Sequence, residues 1–113
     1  MYLPSGAPVR AFKASVQKAA REKLLAPIDG GVLLSLVFVF ARPKSHFTSK
    51  GDLRPNAPRW PGKNLGDLDN LEKGVMDALT KIAYGDDSQV VSKSSDKLWG
   101  DRDKATIYVA EVP

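Results

Sequence analysis

Val32-Leu33-Leu34-Ser35-Leu36-Val37-Phe38-Val39-Phe40-Ala41 is the longest apolar run in the chain, broken only by Ser35. It is rich in β-branched and aromatic residues and apolar at both parities, which predicts a strand covered on both faces at the centre of a sheet. Ten residues are about half of the roughly 20 that a membrane-spanning helix needs, so no membrane segment is read here. Upstream, Phe12, Val16, Ala19, Ala20 and Leu24 recur at helical spacing with Lys and Arg between them. A basic amphipathic helix is expected over residues 9–26, ended by Pro27 and the Gly30-Gly31 pair.

Downstream of the apolar run, residues 42–63 contain four prolines, six basic side chains and one acidic one, which predicts a long basic, Pro-rich loop without regular secondary structure. A second helix follows, capped by Asp69 or Asn70, with Leu71, Val75, Leu79 and Ile82 as its apolar stripe. Gly85-Asp86-Asp87 reads as a turn. Weak alternation over residues 88–99 suggests a half-exposed strand, and residues 105–112 a final strand paired with it through a short hairpin. The order helix, strand, helix, strand, strand predicts a single α+β domain over residues 1–113, a small mixed β-sheet backed by helices.

The 113 residues carry 17 Lys and Arg against 13 Asp and Glu, a net charge of +4. Its distribution is uneven: residues 42–63 hold +5 and residues 64–90 hold −4. A basic block directly precedes an acidic one, and the basic block favours an anionic partner such as nucleic acid. There is no cysteine, which excludes disulfides, thiolate zinc sites and cysteine nucleophiles. The first ten residues lack the basic-then-apolar layout of a secretory signal, so the reading places the protein in the cytoplasm.

The candidate chemistry lies where the two charge blocks meet. Asp67 and Asp69 stand two residues apart before a helix, and Asp87 follows eighteen residues later. If residues 67–69 are extended, both carboxylates share a face, and the helix between can return Asp87 to them. Clustered carboxylates without Cys or His favour Mg²⁺ or Mn²⁺, which could activate water against a phosphodiester. The same residues also suit ordinary roles at a helix start and in a turn. Lys73, one helical turn beyond Asp69, could hold a phosphate oxygen or simply pair with Asp69 or Asp77. Arg42, Lys44, Lys50, Arg54, Arg59 and Lys63, with Phe47 and Trp60 interleaved, suit a loop that tracks a phosphate backbone and stacks on bases, though a solvated loop would look similar. Lys93, Lys97 and Trp99 share a strand face that either extends such a surface or protects an exposed strand. His46, the only histidine, is assigned no role.

The strings Asp67-Leu68-Asp69-Asn70-Leu71-Glu72-Lys73, Asp77-Ala78-Leu79 and Asp86-Asp87-Ser88-Gln89-Val90 resemble the signature of the RusA family of crossover junction endodeoxyribonucleases. Weaker agreement extends through Arg42-Pro43-Lys44-Ser45-His46 and Lys97-Leu98-Trp99-Gly100, so the resemblance spans roughly residues 8–112. It implies a RusA-like fold in which Asp67, Asp69 and Asp87 hold the metal and Lys73 is the essential lysine. It further implies a homodimer that resolves a four-way junction, or other branched DNA, by paired Mg²⁺-dependent nicks. Asn70 and Lys97 join the basic loop as candidate DNA contacts. Two-fold symmetry matches a junction's two equivalent scissile phosphates. Family members begin with an extra basic strand, and Met1 falls after it, so an edge strand is expected to be missing. Two other readings remain: a DNA-binding protein of this fold without turnover, and a metal-dependent phosphohydrolase of small esters, which so long a basic approach disfavours. Gly74, early in the second helix, costs about 1 kcal/mol relative to Ala unless DNA or a backbone approaches it closely.

Overall fold

The computed structural model describes residues 9–24, 26–62 and 65–113. The elements follow the expected order: α1 (Val9–Lys23), β1 (Val32–Ala41), α2 (Leu68–Leu79), β2 (Val90–Gly100) and β3 (Lys104–Glu111), with 3-10 turns at Lys44–His46 and Asp87–Gln89. Among the described residues the result is an α+β arrangement of three strands and two helices. No described helix is long and apolar enough to cross a membrane. The expectation of a missing N-terminal strand concerns chain outside the described residues.

β1 is the middle strand, parallel to β2 on one side and antiparallel to β3 on the other. Its even positions Val32, Leu34, Leu36 and Phe38 are all buried. They meet Val16 and Ala20 of α1, Val75, Ala78 and Leu79 of α2, and Ala83 and Tyr84 beyond it. Each fully buried Val, Leu or Phe here contributes about 1.5–3 kcal/mol through removal from water. The expectation that β1 is covered on both faces is not met. Both helices pack on the even face, so Leu33, Ser35 and Val37 are only partly buried, and Leu98 and Tyr108 are exposed.

The expected hairpin is a second correction, because β2 and β3 flank β1 and do not pair with each other. A strand as apolar as β1 satisfies its backbone groups and buries its side chains best with a neighbour on each edge. The connection over residues 101–103 therefore arches over the end of β1, crossing about 10 Å, or two strand spacings. Asp103 Oδ1 accepts the Ala41 N–H at 2.7 Å, and Gly100 O accepts the Arg42 N–H at 3.2 Å. These two bonds close the top of the sheet.

In α2, Val75, Ala78 and Leu79 are buried, and the helix ends before Ile82. Among the described residues a Cβ built on Gly74 meets nothing within 4 Å, so no described backbone requires the glycine. Gly74→Ala is expected to stabilise the fold by about 1 kcal/mol, read as a higher midpoint in urea unfolding. An unchanged or lower midpoint would contradict this.

Candidate functional site

α2 starts earlier than its strongest capping residues suggest. Asp67 is the N-cap, with extended backbone (φ −74°, ψ 149°) and no side-chain capping bond, and Leu68 is already helical. This overturns the extended 67–69 segment, because helical residues two apart lie about 200° apart around the axis. Asp69, Glu72, Lys73, Met76 and Asp77 instead recur at i, i+3, i+4, i+7 and i+8, one face of the helix. With Asp87 and Lys93 they line a cleft of about 310 Å³. Asp69, Lys73 and Asp87 thus come together, whereas Asp67 stands at the cap outside that lining.

Sequence reasoning gave Glu72 no role and read Lys93 only as an extension of a binding surface or a guard of an exposed strand, yet both line this cleft. The Glu72 carboxylate accepts a hydrogen bond from the Ser95 hydroxyl and lies 3.9 Å from Lys93 Nζ. The signal was the helical spacing of Glu72 from Asp69, which becomes meaningful only once α2 starts at Leu68. The oxygen donors of the cleft are all carboxylates, the chemistry a hard divalent cation takes. Among the described residues, however, no three His, Cys, Asp or Glu are gathered closely enough to chelate an ion.

Asp87 lies in the 3-10 turn Asp87–Gln89, and the residues around it explain how it is held. Asp86 performs the turn chemistry. The Ser88 hydroxyl donates to Asp86 Oδ2 and, with the Asp87 and Ser88 backbone N–H groups, keeps that carboxyl below its usual value. Asp87 is left to face the cleft. Gln89 then fastens the turn to the chain ahead of β1. Its Oε1 accepts the Gly85 and Asp86 N–H groups at 2.8 and 3.0 Å, and its Nε2 donates to the Ile28 and Gly30 carbonyls at 2.8 and 3.0 Å. Gln89→Ala removes all four bonds, but exposed partners can turn to water, so the expected cost is about 1–2 kcal/mol in urea unfolding. A cost near zero would show that Gln89 does not anchor the turn.

Beneath the cleft, Tyr84 donates its hydroxyl to Met76 O at 3.1 Å. Burial, reinforced by the Asp87 and Asp77 carboxylates, pushes its phenol up to about 12. An unfolded tyrosine ionises near 10, so stability from the neutral phenol is full below about pH 10 and lost as pH rises toward 12. Tyr84→Phe is expected to flatten that alkaline loss in a pH series of thermal melts. An unchanged alkaline profile would rule out this contribution.

β2 lays out the rest of the site through its odd residues, which share the helix-covered side with Leu34, Leu36, Phe38 and Phe40 of β1. Lys93 and Ser95 meet Glu72. Lys97 Nζ donates to Gly66 O at 3.1 Å, fixing the backbone just before Asp67. Trp99 Nε1 donates to Pro58 O at 3.1 Å. Arg42 Nη1 reaches the same carbonyl at 2.9 Å, and its guanidinium lies 5.2 Å from the Trp99 ring centre. His46 packs edge-on against that ring at 5.1 Å. Arg42, His46, Lys97 and Trp99 therefore hold the loop and the approach to α2. Arg54 Nε bonds Ser45 O at 3.2 Å while remaining exposed. Lys44, Lys50, Arg59 and Asn70 are exposed, and Lys63 lies outside the described residues.

The family model for endodeoxyribonuclease RusA matches residues 1–110. The chain is similar to the uncharacterized protein YqaN of Bacillus subtilis (strain 168), 35% identical over 72 residues. That alignment covers 64% of this chain and 46% of YqaN, so the matched part spans less than half the length of this relative. No solved structure matches.

Proposed function

Because the chain belongs to the RusA family of endodeoxyribonucleases, we propose that it nicks four-way or otherwise branched DNA with Mg²⁺ at the cleft between α2 and the Asp87 turn. The observation that carries this reading is the convergence of Asp69, Lys73 and Asp87 on one cleft, whose helix the basic loop precedes in sequence. Asp69 and Asp87 would hold the ion, with Asp67 supplied from the neighbouring cap. When bound, such an ion neutralises phosphate charge and makes water nucleophilic at neutral pH. Lys73, on the same helical face as Asp69, holds the phosphate and balances the charge that develops on it. Lys44, Lys50, Arg54, Arg59 and Lys63 attract and track the flanking backbone. Gln89 and Lys97 keep the two arms of the acidic site in place.

A homodimer suits the reaction, since two equivalent scissile phosphates call for two equivalent sites. The partly covered sheet face with Leu33, Val37, Leu98 and Tyr108 supports association. The test is Mg²⁺-dependent nicking of a synthetic four-way junction beside a linear duplex of matched sequence, with sedimentation of the DNA-free protein. Paired nicks on the junction alone, from a protein that sediments as a dimer, are the expected result. Tight junction binding without product would favour a binding protein of the same fold.

A further inference from the structure

Arg59 and Trp60 have no part in the cleft, yet the loop is built to display them. Trp60 is 61% exposed, and the Arg59 guanidinium lies 5.5 Å from its ring centre. The backbone on either side is pinned. Pro58 O accepts hydrogen bonds from both Arg42 Nη1 and Trp99 Nε1, and Pro61 is buried. The presenting segment is thus anchored to β2, and the largest aromatic ring of the loop is turned outward. Leaving an indole in water forgoes the burial that favours other large side chains of this protein.

We propose that Arg59 and Trp60 form a stacking site for an unpaired base of the DNA substrate. This rests on the nuclease reading and deepens it by naming what the loop recognises besides phosphate. A flat aromatic ring beside a guanidinium, on a loop of six basic and one acidic residues, suits the face of a base and its adjoining phosphates. A continuous duplex keeps its base faces stacked on one another and offers the indole none. A base freed at a branch point does. The site also sits at a set separation from the acidic arm, because Pro58 is tied to Trp99 and Gly66 to Lys97, anchors about 7 Å apart along β2. A base stacked on Trp60 would therefore help position the phosphate delivered to the cleft.

The experiment is a binding titration of the full chain in EDTA, where no product forms, against junctions carrying 2-aminopurine either at the branch point or in a paired arm. Quenching confined to the branch-point probe is expected. Trp60→Ala should abolish it and weaken binding of branched DNA by roughly 5- to 100-fold, with duplex affinity unchanged and Trp60→Phe close to the parent chain. Equal losses on duplex and branched DNA, or quenching that persists in Trp60→Ala, would overturn the proposal. So would altered sedimentation of DNA-free Trp60→Ala with normal DNA binding, which would assign the indole to a protein contact. The nuclease reading fails separately, through absence of Mg²⁺-dependent product from a protein that still shows the quench.

Discussion

An Asp69→Asn variant is expected to nick a four-way junction on the order of 10³-fold more slowly than the parent chain, while binding it at least as tightly. The substitution keeps the shape of an exposed side chain at the start of α2, so the fold should be unaffected. What disappears is one negative charge in the cleft shared with Asp87 and Lys73. With metal absent, a carboxylate there repels substrate phosphate, so its loss should raise affinity slightly at low salt and less at high salt. With metal present, the same loss would weaken the hold on an ion bound at the proposed site, and with it the chemistry. Single-turnover nicking in Mg²⁺ and gel shifts in EDTA separate the two effects. Nicking within tenfold of the parent would remove Asp69 from the catalytic set.

The second large effect concerns stability. A Cβ built on Gly100 comes within 2.4 Å of Val39 Cγ1, closer than any real contact allows. Gly100 ends β2 opposite Ala41 and accepts the Arg42 N–H, so the backbone there has little room to retreat. Gly100→Ala is expected to cost about 1–3 kcal/mol by overpacking. Thermal unfolding would then fall by several degrees, at roughly 4–8 °C per kcal/mol for a domain near this size. Val39→Ala in the same chain should recover part of the loss, making the pair non-additive. Strict additivity would mean that the clash with Val39 is not the cause.

Much of the fold is legible in local pattern. The bounds of β1 coincide with the apolar run, because few alternatives exist for ten such residues in a small protein. The central acidic and lysine positions also stand out from spacing and from the resemblance they carry. What local pattern misses depends on distant partners. Asp69 and Asn70 are strong cap formers, but α2 is capped by Asp67, which alters the geometry of the two aspartates. Residues 100–104 look like a hairpin turn, yet the pairing was decided by two open edges of β1. Gln89 lies within the recognised motif, but its role rests on the Ile28 and Gly30 carbonyls some sixty residues away. The packing of Arg42 against Trp99 and Pro58 likewise has no local signature.

The odd side of β2 makes this protein tolerant of one kind of evolutionary change and intolerant of another. Ser92, Ser94 and Asp96 point away from the helices, so their identities can drift with little consequence for the site. The length of the strand cannot. Inserting one residue between Lys93 and Trp99 would turn part of the series to the opposite side, releasing at least the tie to Pro58. Inserting two would restore the side but lengthen the spacing by about 7 Å. Descendants of this chain should therefore vary β2 by exchange of residues and hardly ever by gaps.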